Sequence, residues 1–377
     1  MKRDRLIVHI VTRLYLGGAQ RVVLDVLSFL KDDGSDVLLI TGRREEMTEQ
    51  FENKNIPICE IKELDRHLNL INDTVAMGKI AMKLRSLKTE YDEVIVHTHT
   101  SKAGLLGRVG ARIAGISEIY HTAHGWSFYE KQNTFIRKVF SLSEVLTAKF
   151  TKQIICVSKS VADLGAEAGI DKKKLTLIYN DVSEIKKISE REKEQIKSRL
   201  GILKEEKVVV QVSCLKKQKS PLDFIKTAEL LKNEKIKFIL AGDGELRMEI
   251  EKYVKKNDLK NVILTGWHKE IWELYNIADV FTLTSVFEGY PLAVLEYMQF
   301  NKPMVLSDIH PNREIMQKSC EYCNLHDVEC FGEKVKECTL IQSKDYIYNK
   351  NKRMVVQYRD IYSQKAKKNI IKSFCQR

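Results

Sequence analysis

No apolar run in this sequence approaches the roughly 20 residues that a bilayer-spanning helix requires. No low-complexity tract interrupts it either, and 44% of its residues are hydrophobic against 30% charged. These two absences exclude an α-helical membrane-spanning chain and a disordered one, leaving a globular protein. The start, MKRDRLIVHIVTRLYLGG, has a basic opening and an apolar patch but lacks what a secretory leader needs. Arg13 interrupts the patch, no small-residue cleavage site follows, and LIVHIVT reads as a buried first strand. A cytoplasmic location is therefore expected.

Cysteine is too sparse for a disulfide scaffold, with eight in 377 residues. Four fall late, at Cys320, Cys323, Cys330 and Cys338. The first two form a CxxC, but the spacing of the second pair does not repeat the tight knuckle of a zinc site. Reduced, partly buried thiols and no structural zinc are expected. Acidic residues are in deficit, 51 against 63 Lys and Arg, for a formal charge of +12. That balance favours anionic partners: nucleic acid, phosphorylated metabolites or an acidic membrane surface. Solubility alone would also account for it.

What is present is alternation. LIVHIV, DVLLIT, EVIVHTH, QIICVS and KLTLIY read as strands, with periodic helical segments such as AQRVVLDVLSFLK between them. After Tyr179 the pattern breaks into a polar, charge-dense stretch, with a helix at SEREKEQIKSRLG closed by Gly201. It then restarts with KVVVQVS, KFILAG, NVILTG, ADVFTLT and KPMVLS. Stacked βαβ units of this kind build parallel sheets, and 377 residues exceed one comfortable core. Two doubly wound α/β domains are the simplest account, with boundaries at 1–182 and 183–330. The remainder, 331–377, reads as a basic, tyrosine-rich helical segment that could cross back to the first domain.

Open α/β sheets bind ligands at the carboxyl ends of their strands, so chemistry is sought there. LYLGGAQR follows the first strand, where Gly17 and Gly18 open a helix whose N–H groups could meet an anion, or simply form a turn. His97 and His99 alternate on one face of a strand, a metal-like spacing without an evident carboxylate partner. His121 and His124 end the next strand and could move a proton or bond a sugar hydroxyl, or be structural. In the second half, Lys216, Lys217 and Lys219 stand in a strand–turn–helix loop where a diphosphate could be neutralised. Gly242 and Gly244 follow another strand, but GxGxxG is absent.

The most unusual stretch is VFEGYPLAVLEYM, an apolar run that carries Glu288 and Glu296. Glu288 falls in the loop after a strand, and Glu296 lies about a turn and a half into the helix that follows Pro291. Carboxylates so placed can accept from paired hydroxyls, which points to a sugar ring. The segment TFIRKVFSLSEVLTAKF pairs Phe135, Val139, Phe140 and Leu146 with Arg137, Lys138 and Lys149. It reads either as a lipid-docking face or as a core helix.

These motifs, in this order and spacing, resemble the retaining, nucleotide-sugar-dependent glycosyltransferases of family 4. The resemblance runs from residue 5 to about residue 316. It rests most on the E-x7-E element Glu288–Glu296, supported by LGGAQR, HTHTSKAGLLGR, HTAHGWSF, ICVSKS, QKSPLDF, AGDGEL and VLSDIHPNRE. It implies the GT-B fold, two doubly wound Rossmann-like domains facing across a cleft, the first for acceptor and the second for donor. It implies roles as well: Glu288 on donor-sugar hydroxyls, with Gly289 and Leu292 beside it, and Glu296 on the ribose. Lys219 would meet the diphosphate, Gly17 and Gly18 the phosphates and acceptor, and His121 or His124 the reacting sugar. The donor expected is a UDP-sugar, with no metal and no other cofactor. The HTHTSKAG and HTAHGWSF block is similar to the branch that builds capsule and other bacterial surface polysaccharides on lipid carriers. A lipid-linked acceptor and peripheral contact with the inner face of the cell membrane follow from that, and nucleic acid does not.

Two departures stand out. The family's Gly-Arg-Leu reads Ser213-Cys214-Leu215, so its diphosphate arginine is missing. A glycine-rich turn near residue 310 is replaced by His310-Pro311-Asn312-Arg313-Glu314. A nucleotide-sugar epimerase of the same fold is the nearest rival reading. A basic nucleic-acid-binding protein is the rival from another class, but the lysines are dispersed and do not form a stripe with aromatics.

Overall fold

The computed structural model describes residues 2–128 and 134–341. They divide into two units that meet in sequence at Asn180 and Asp181. In the first unit, β1 (Arg3–Arg13), α1 (Gly18–Asp32), β2 (Asp36–Arg43), α2 (Thr48–Asn53) and β3 (Ile58–Glu60) come first. Then follow α3 (Leu70–Glu90), β4 (Tyr91–His99), α4 (Ser101–Ile113) and β5 (Ile119–Ala123). The unit closes with α5 (Thr134–Ala148), β6 (Gln153–Cys156), α6 (Lys159–Glu167) and β7 (Leu175–Leu177). The seven strands form one parallel sheet in the order β3-β2-β1-β4-β5-β6-β7.

Strand β1 is central, and its run from Leu6 to Thr12 is buried on both faces, which is why LIVHIVT lacks polar alternation. One face packs Leu6, Val8, Ile10, Val94 and Val96 against Ala76, Ile80 and Leu84 of α3. The other packs Ile7, Val11 and Ile95 against Val23, Leu27 and Leu30 of α1. Side-chain alternation thus sends even and odd positions of β1 and β4 to different helical layers. That sorting decides which histidines meet.

The second unit holds α7 (Glu190–Arg199), β8 (Lys207–Val212), α8 (Pro221–Leu230), β9 (Ile236–Ala241) and α9 (Arg247–Lys256). It continues with β10 (Val262–Gly266), α10 (Ile271–Ile277), β11 (Val280–Leu283), α11 (Leu292–Met298) and β12 (Met304–Ser307). Last come α12 (His310–Met316), β13 (Glu321–Cys323) and α13 (Val328–Leu340). Its parallel sheet runs β10-β9-β8-β11-β12-β13. Helix α7 opens with a capping box between Ser189 and Glu192, and Gly201 just beyond it takes φ +69°.

Three features depart from the sequence reading. The edge strands β3 and β13, three residues each, are not among the strands read from the sequence. Cys323 and Cys330 are joined in a disulfide with Cα atoms 5.7 Å apart, where reduced thiols were expected. The fold brings the end of β13 beside the first turn of α13, which a CxxC search centred on Cys320 could not anticipate. Helix α13 also continues across position 330, so the segment break placed there falls inside a helix. The tyrosine-rich helix expected from Lys344 onward lies outside the described residues.

Candidate functional site

Each sheet reverses its strand order once, beside β1 and β4 in the first unit and beside β8 and β11 in the second. Such switch points splay the connecting loops and open room for a ligand at the strands' carboxyl ends. Gly17 and Gly18 follow β1 at the first, and Lys219 and Glu288 follow β8 and β11 at the second.

In the second unit the loop after β8 is braced by the loop after β11. Val286 N–H donates to the Gln218 carbonyl at 2.8 Å, and Gln218 Nε2 donates to the Phe287 carbonyl at 2.9 Å. Thr284 Oγ1 donates to the carbonyls of Lys219 and Ser220. This clamp sets Lys219 Nζ 2.5 Å from Glu288 Oε1, which also accepts from Ser285 Oγ at 2.6 Å. The Glu288 side chain is 6% exposed and that of Lys219 19%. Lys217 is exposed and Lys216 half-buried. Gly289 is buried, and Leu292 is half-buried at the first position of α11.

The Gly242 turn packs beneath the same loop. Its φ is +139°, and a Cβ there would lie 1.9 Å from the Ser213 carbonyl oxygen, so only glycine fits. Glu296 is half-buried between buried Leu295 and Tyr297, and its Oε2 accepts from Tyr275 OH of α10 at 2.7 Å. Arg313 is held by both Asp308 oxygens, at 2.5 and 2.6 Å, with its guanidinium 4.3 Å above the Tyr322 ring. Cys214 stands half-buried at the position of the missing arginine.

In the first unit, Gly17 caps α1, and a Cβ there would fall within 2.7 Å of the Gln20 and Tyr15 side chains. The glycine pair opens a 15-residue helix whose first N–H groups receive no side-chain cap. The two candidate histidines part company. His121 is buried on the α4 side of the sheet, its Nδ1 2.9 Å from Thr98 Oγ1, with Arg108 nearby. His124 is half-buried just past β5, its Nε2 3.0 Å from His99 Nδ1. His99 Nε2 lies in turn 2.9 Å from His9 Nδ1, and His97 Nε2 2.7 Å from Thr122 Oγ1. Burial pushes all five imidazoles down, His9 to about 3 and His124 to about 4. Neighbouring histidines lower His97 and His99 further, and Arg108 does the same for His121.

His9, His97 and His99 can each offer one ring nitrogen within 4.8 Å of the others, a geometry a metal ion could use. The sequence reading missed His9, because a histidine inside LIVHIVT looks like part of an apolar strand. Its pairing in register with His97 was the available signal, and that needs the sheet order. Arg108 and Glu144 were missed as well. They form a fully buried pair, Arg108 NH2 to Glu144 Oε2 at 2.5 Å, between α4 and α5.

Comparison with known proteins places this geometry. Residues 16–183 match the model for Glycosyltransferase Family 4, and residues 192–353 that for Glycosyl transferases group 1. The chain is 31% identical over 336 residues to the Escherichia coli UDP-Gal:alpha-D-GlcNAc-diphosphoundecaprenol alpha-1,3-galactosyltransferase, covering 86% of this chain and 85% of that one. It is 25% identical over 294 residues to the Campylobacter jejuni N,N'-diacetylbacillosaminyl-diphospho-undecaprenol alpha-1,3-N-acetylgalactosaminyltransferase, covering 76% of each. Anabaena HepE, solved in complex with UDP-glucose, superposes with a TM-score of 0.84 at 18% identity, covering 98% of this chain and 99% of that one. WaaG, a glycosyltransferase of lipopolysaccharide biosynthesis, superposes with a TM-score of 0.76 at 14% identity, covering 97% and 99%. Two parallel α/β units, a carboxylate–lysine pair at the second switch point and these relatives agree: the chain is a GT-B glycosyltransferase and belongs to glycosyltransferase family 4.

Proposed function

We propose that the chain transfers a sugar, with retention, from a UDP-sugar to a lipid-linked glycan precursor in bacterial surface-polysaccharide biosynthesis. The observation that carries this reading is the Lys219–Glu288 pair at the β8/β11 switch point. A cation for the leaving diphosphate and an acceptor for sugar hydroxyls are held side by side. Glu288 orients the donor sugar, with Gly289 and Leu292 closing the loop around it, and Glu296 receives the ribose hydroxyls. Lys219 neutralises charge as the sugar–phosphate bond breaks, so this reading asks for no metal there. Gly17 and Gly18 present helix N–H groups to phosphate, and His124, the half-buried histidine, meets the reacting sugar.

Peripheral membrane contact belongs to the same reading. Helix α5 exposes Phe135, Val139, Leu142 and Leu146, spaced as one helical stripe, with Lys138 flanking it and Lys149 just past the helix end. Anionic lipid complements that face. No helix among the described residues is long and apolar enough to cross a membrane.

The test is a panel of UDP-, GDP- and dTDP-sugars offered with a sugar-diphospho-polyprenol acceptor. Transfer from a UDP-sugar, with the donor's anomeric configuration kept in the product by NMR, is expected. Release of an altered sugar without acceptor would overturn the reading in favour of an epimerase.

A further inference from the structure

The three imidazoles of His9, His99 and His124 form a hydrogen-bonded chain inside the first unit, and the reaction as read above uses only the last of them. Ring centroids are 4.9 Å apart for His9–His99 and 5.3 Å for His99–His124, with planes inclined by only 28° and 29°. With ring nitrogens about 3 Å apart, the rings meet edge to edge, as in-plane N–H···N bonds demand. A neutral imidazole has one donor and one acceptor. His99 uses both nitrogens inside the chain, so it must donate on one side and accept on the other. The proton positions of all three rings are therefore locked together, and only two arrangements exist.

These arrangements differ in what His124 shows to a ligand. In one, protons point along the chain from His9 to His124, whose Nε2 accepts and whose Nδ1 keeps its hydrogen. In the other, His124 donates inward and leaves Nδ1 bare. Among the described residues Nδ1 of His124 makes no hydrogen bond, so it is the nitrogen left for a ligand.

We propose that His99 and His9 are positioning residues that hold His124 as the neutral Nδ1–H tautomer, a hydrogen-bond donor aimed at the donor substrate's sugar or phosphate oxygens. The inference rests on the reading of His124 given under the proposed function. Physical reasons favour this arrangement over its mirror. A nucleoside diphosphate sugar offers anionic oxygens, which need a donor opposite them and repel a bare nitrogen lone pair. An imidazolium would serve as well, but His9 and His99 are fully buried, where a charge shared along the chain is costly. A chain of neutral donors supplies the hydrogen without placing a charge in the core. Hydrogen-bond partners behind a functional imidazole commonly fix its tautomer and orientation in this way.

The experiment uses the full chain labelled with 15N-histidine, together with steady-state kinetics. In the wild type, His124, assigned by loss of its signals in His124→Asn, is expected to carry hydrogen on Nδ1 and a bare Nε2. This measurement needs neither substrate nor a stable core variant. His99→Leu removes the link and should let His124 sample both tautomers, with kcat falling roughly tenfold or more and the donor KM changing little. His99→Asn keeps an amide donor near the Nδ1 position and should recover much of the lost kcat. His9→Leu removes the donor at the head of the chain and should loosen the His124 tautomer and lower kcat in the same sense, with His9→Asn recovering part of that loss.

A wild-type His124 found as the Nε2–H tautomer would overturn the proposal. So would one equivalent of a transition metal that copurifies and is lost in His99→Leu, since the ion would take nitrogens the chain uses. If His124→Ala impairs transfer but a folded His99→Leu does not, the positioning role alone fails. If His124→Ala is silent, the reading of the site on which this rests fails instead.

Discussion

An ammonium 2.5 Å from a carboxylate that is only 6% exposed is a prearranged pair, and removing either partner leaves the other without its complement. Lys219→Ala should therefore cost more turnover than Lys216→Ala or Lys217→Ala, because neither of those lysines is clamped onto Glu288. Lys219→Arg restores charge but not the point geometry, so partial activity is expected. Glu288→Ala should abolish transfer. Glu296→Ala should chiefly weaken nucleotide binding, by roughly 1.5–3 kcal/mol for a lost charged hydrogen bond. Steady-state kinetics with a UDP-sugar and titration with UDP separate these effects. A Lys219→Ala enzyme with wild-type turnover would mean that the diphosphate is held elsewhere. The sequence singles out all of these residues, the lysines and Glu288 because they follow strands and Glu296 as a charge in an apolar helix. Their pairing was not, because 69 positions separate Lys219 from Glu288 and only the sheet order joins them.

Helix α5 shows how one element can carry two opposed faces. Its inner face holds Glu144 against the fully buried Arg108 guanidinium. Breaking such a pair strands a charge in the core, so Glu144→Ala should destabilise the first unit by about 3–5 kcal/mol. Arg108→Leu combined with Glu144→Leu should recover much of that loss, and urea unfolding measures both. The outer face is apolar and basic, with Leu142 58% exposed and Val139 50%. Val139→Asp with Leu142→Asp should leave urea stability nearly unchanged. The same pair should lower flotation with anionic vesicles at low salt; equal flotation of variant and wild type would sink the lipid reading. From sequence, TFIRKVFSLSEVLTAKF fitted a core helix as well as a lipid-facing one. Amphipathic spacing reports that a helix has two faces, whereas the packed neighbours decide which of them is covered.

At the scale of the whole molecule, the four fully buried histidines among the described residues, His9, His97, His99 and His121, all lie in the first unit. Their folded-state affinities for protons, and that of His124, lie below the ordinary histidine value of about 6.5. The unfolded chain therefore takes up protons first as pH falls. The stability due to their neutral burial is complete above about pH 6.5 and is lost progressively on acidification towards pH 4. His9 and His124 alone should account for a loss of order 2 kcal/mol between pH 6 and pH 5. Trp126 reports on the first unit, and Trp267 and Trp272 on the second. In a Trp267→Phe, Trp272→Phe variant, the Trp126 signal should show urea midpoints dropping steeply over this range. A pH-independent midpoint would mean that the histidines ionise in the folded state.

By itself the sequence determined the alternation of strand and helix, the break after Tyr179, and the strand-end residues that mark the family, because these are local properties written in periodicity, turn chemistry and short motifs. Tertiary structure decided the rest. It buried His121 within β5 and left His124 just past its end, and it drew His9 and His99 together across 90 positions. It also closed Cys323 onto Cys330, buried Arg108 on Glu144, and set Lys219 against Glu288. The physical reason is shared. A side chain's type is local, but its partner depends on sheet order, register and face, and those come from burying both cores at once.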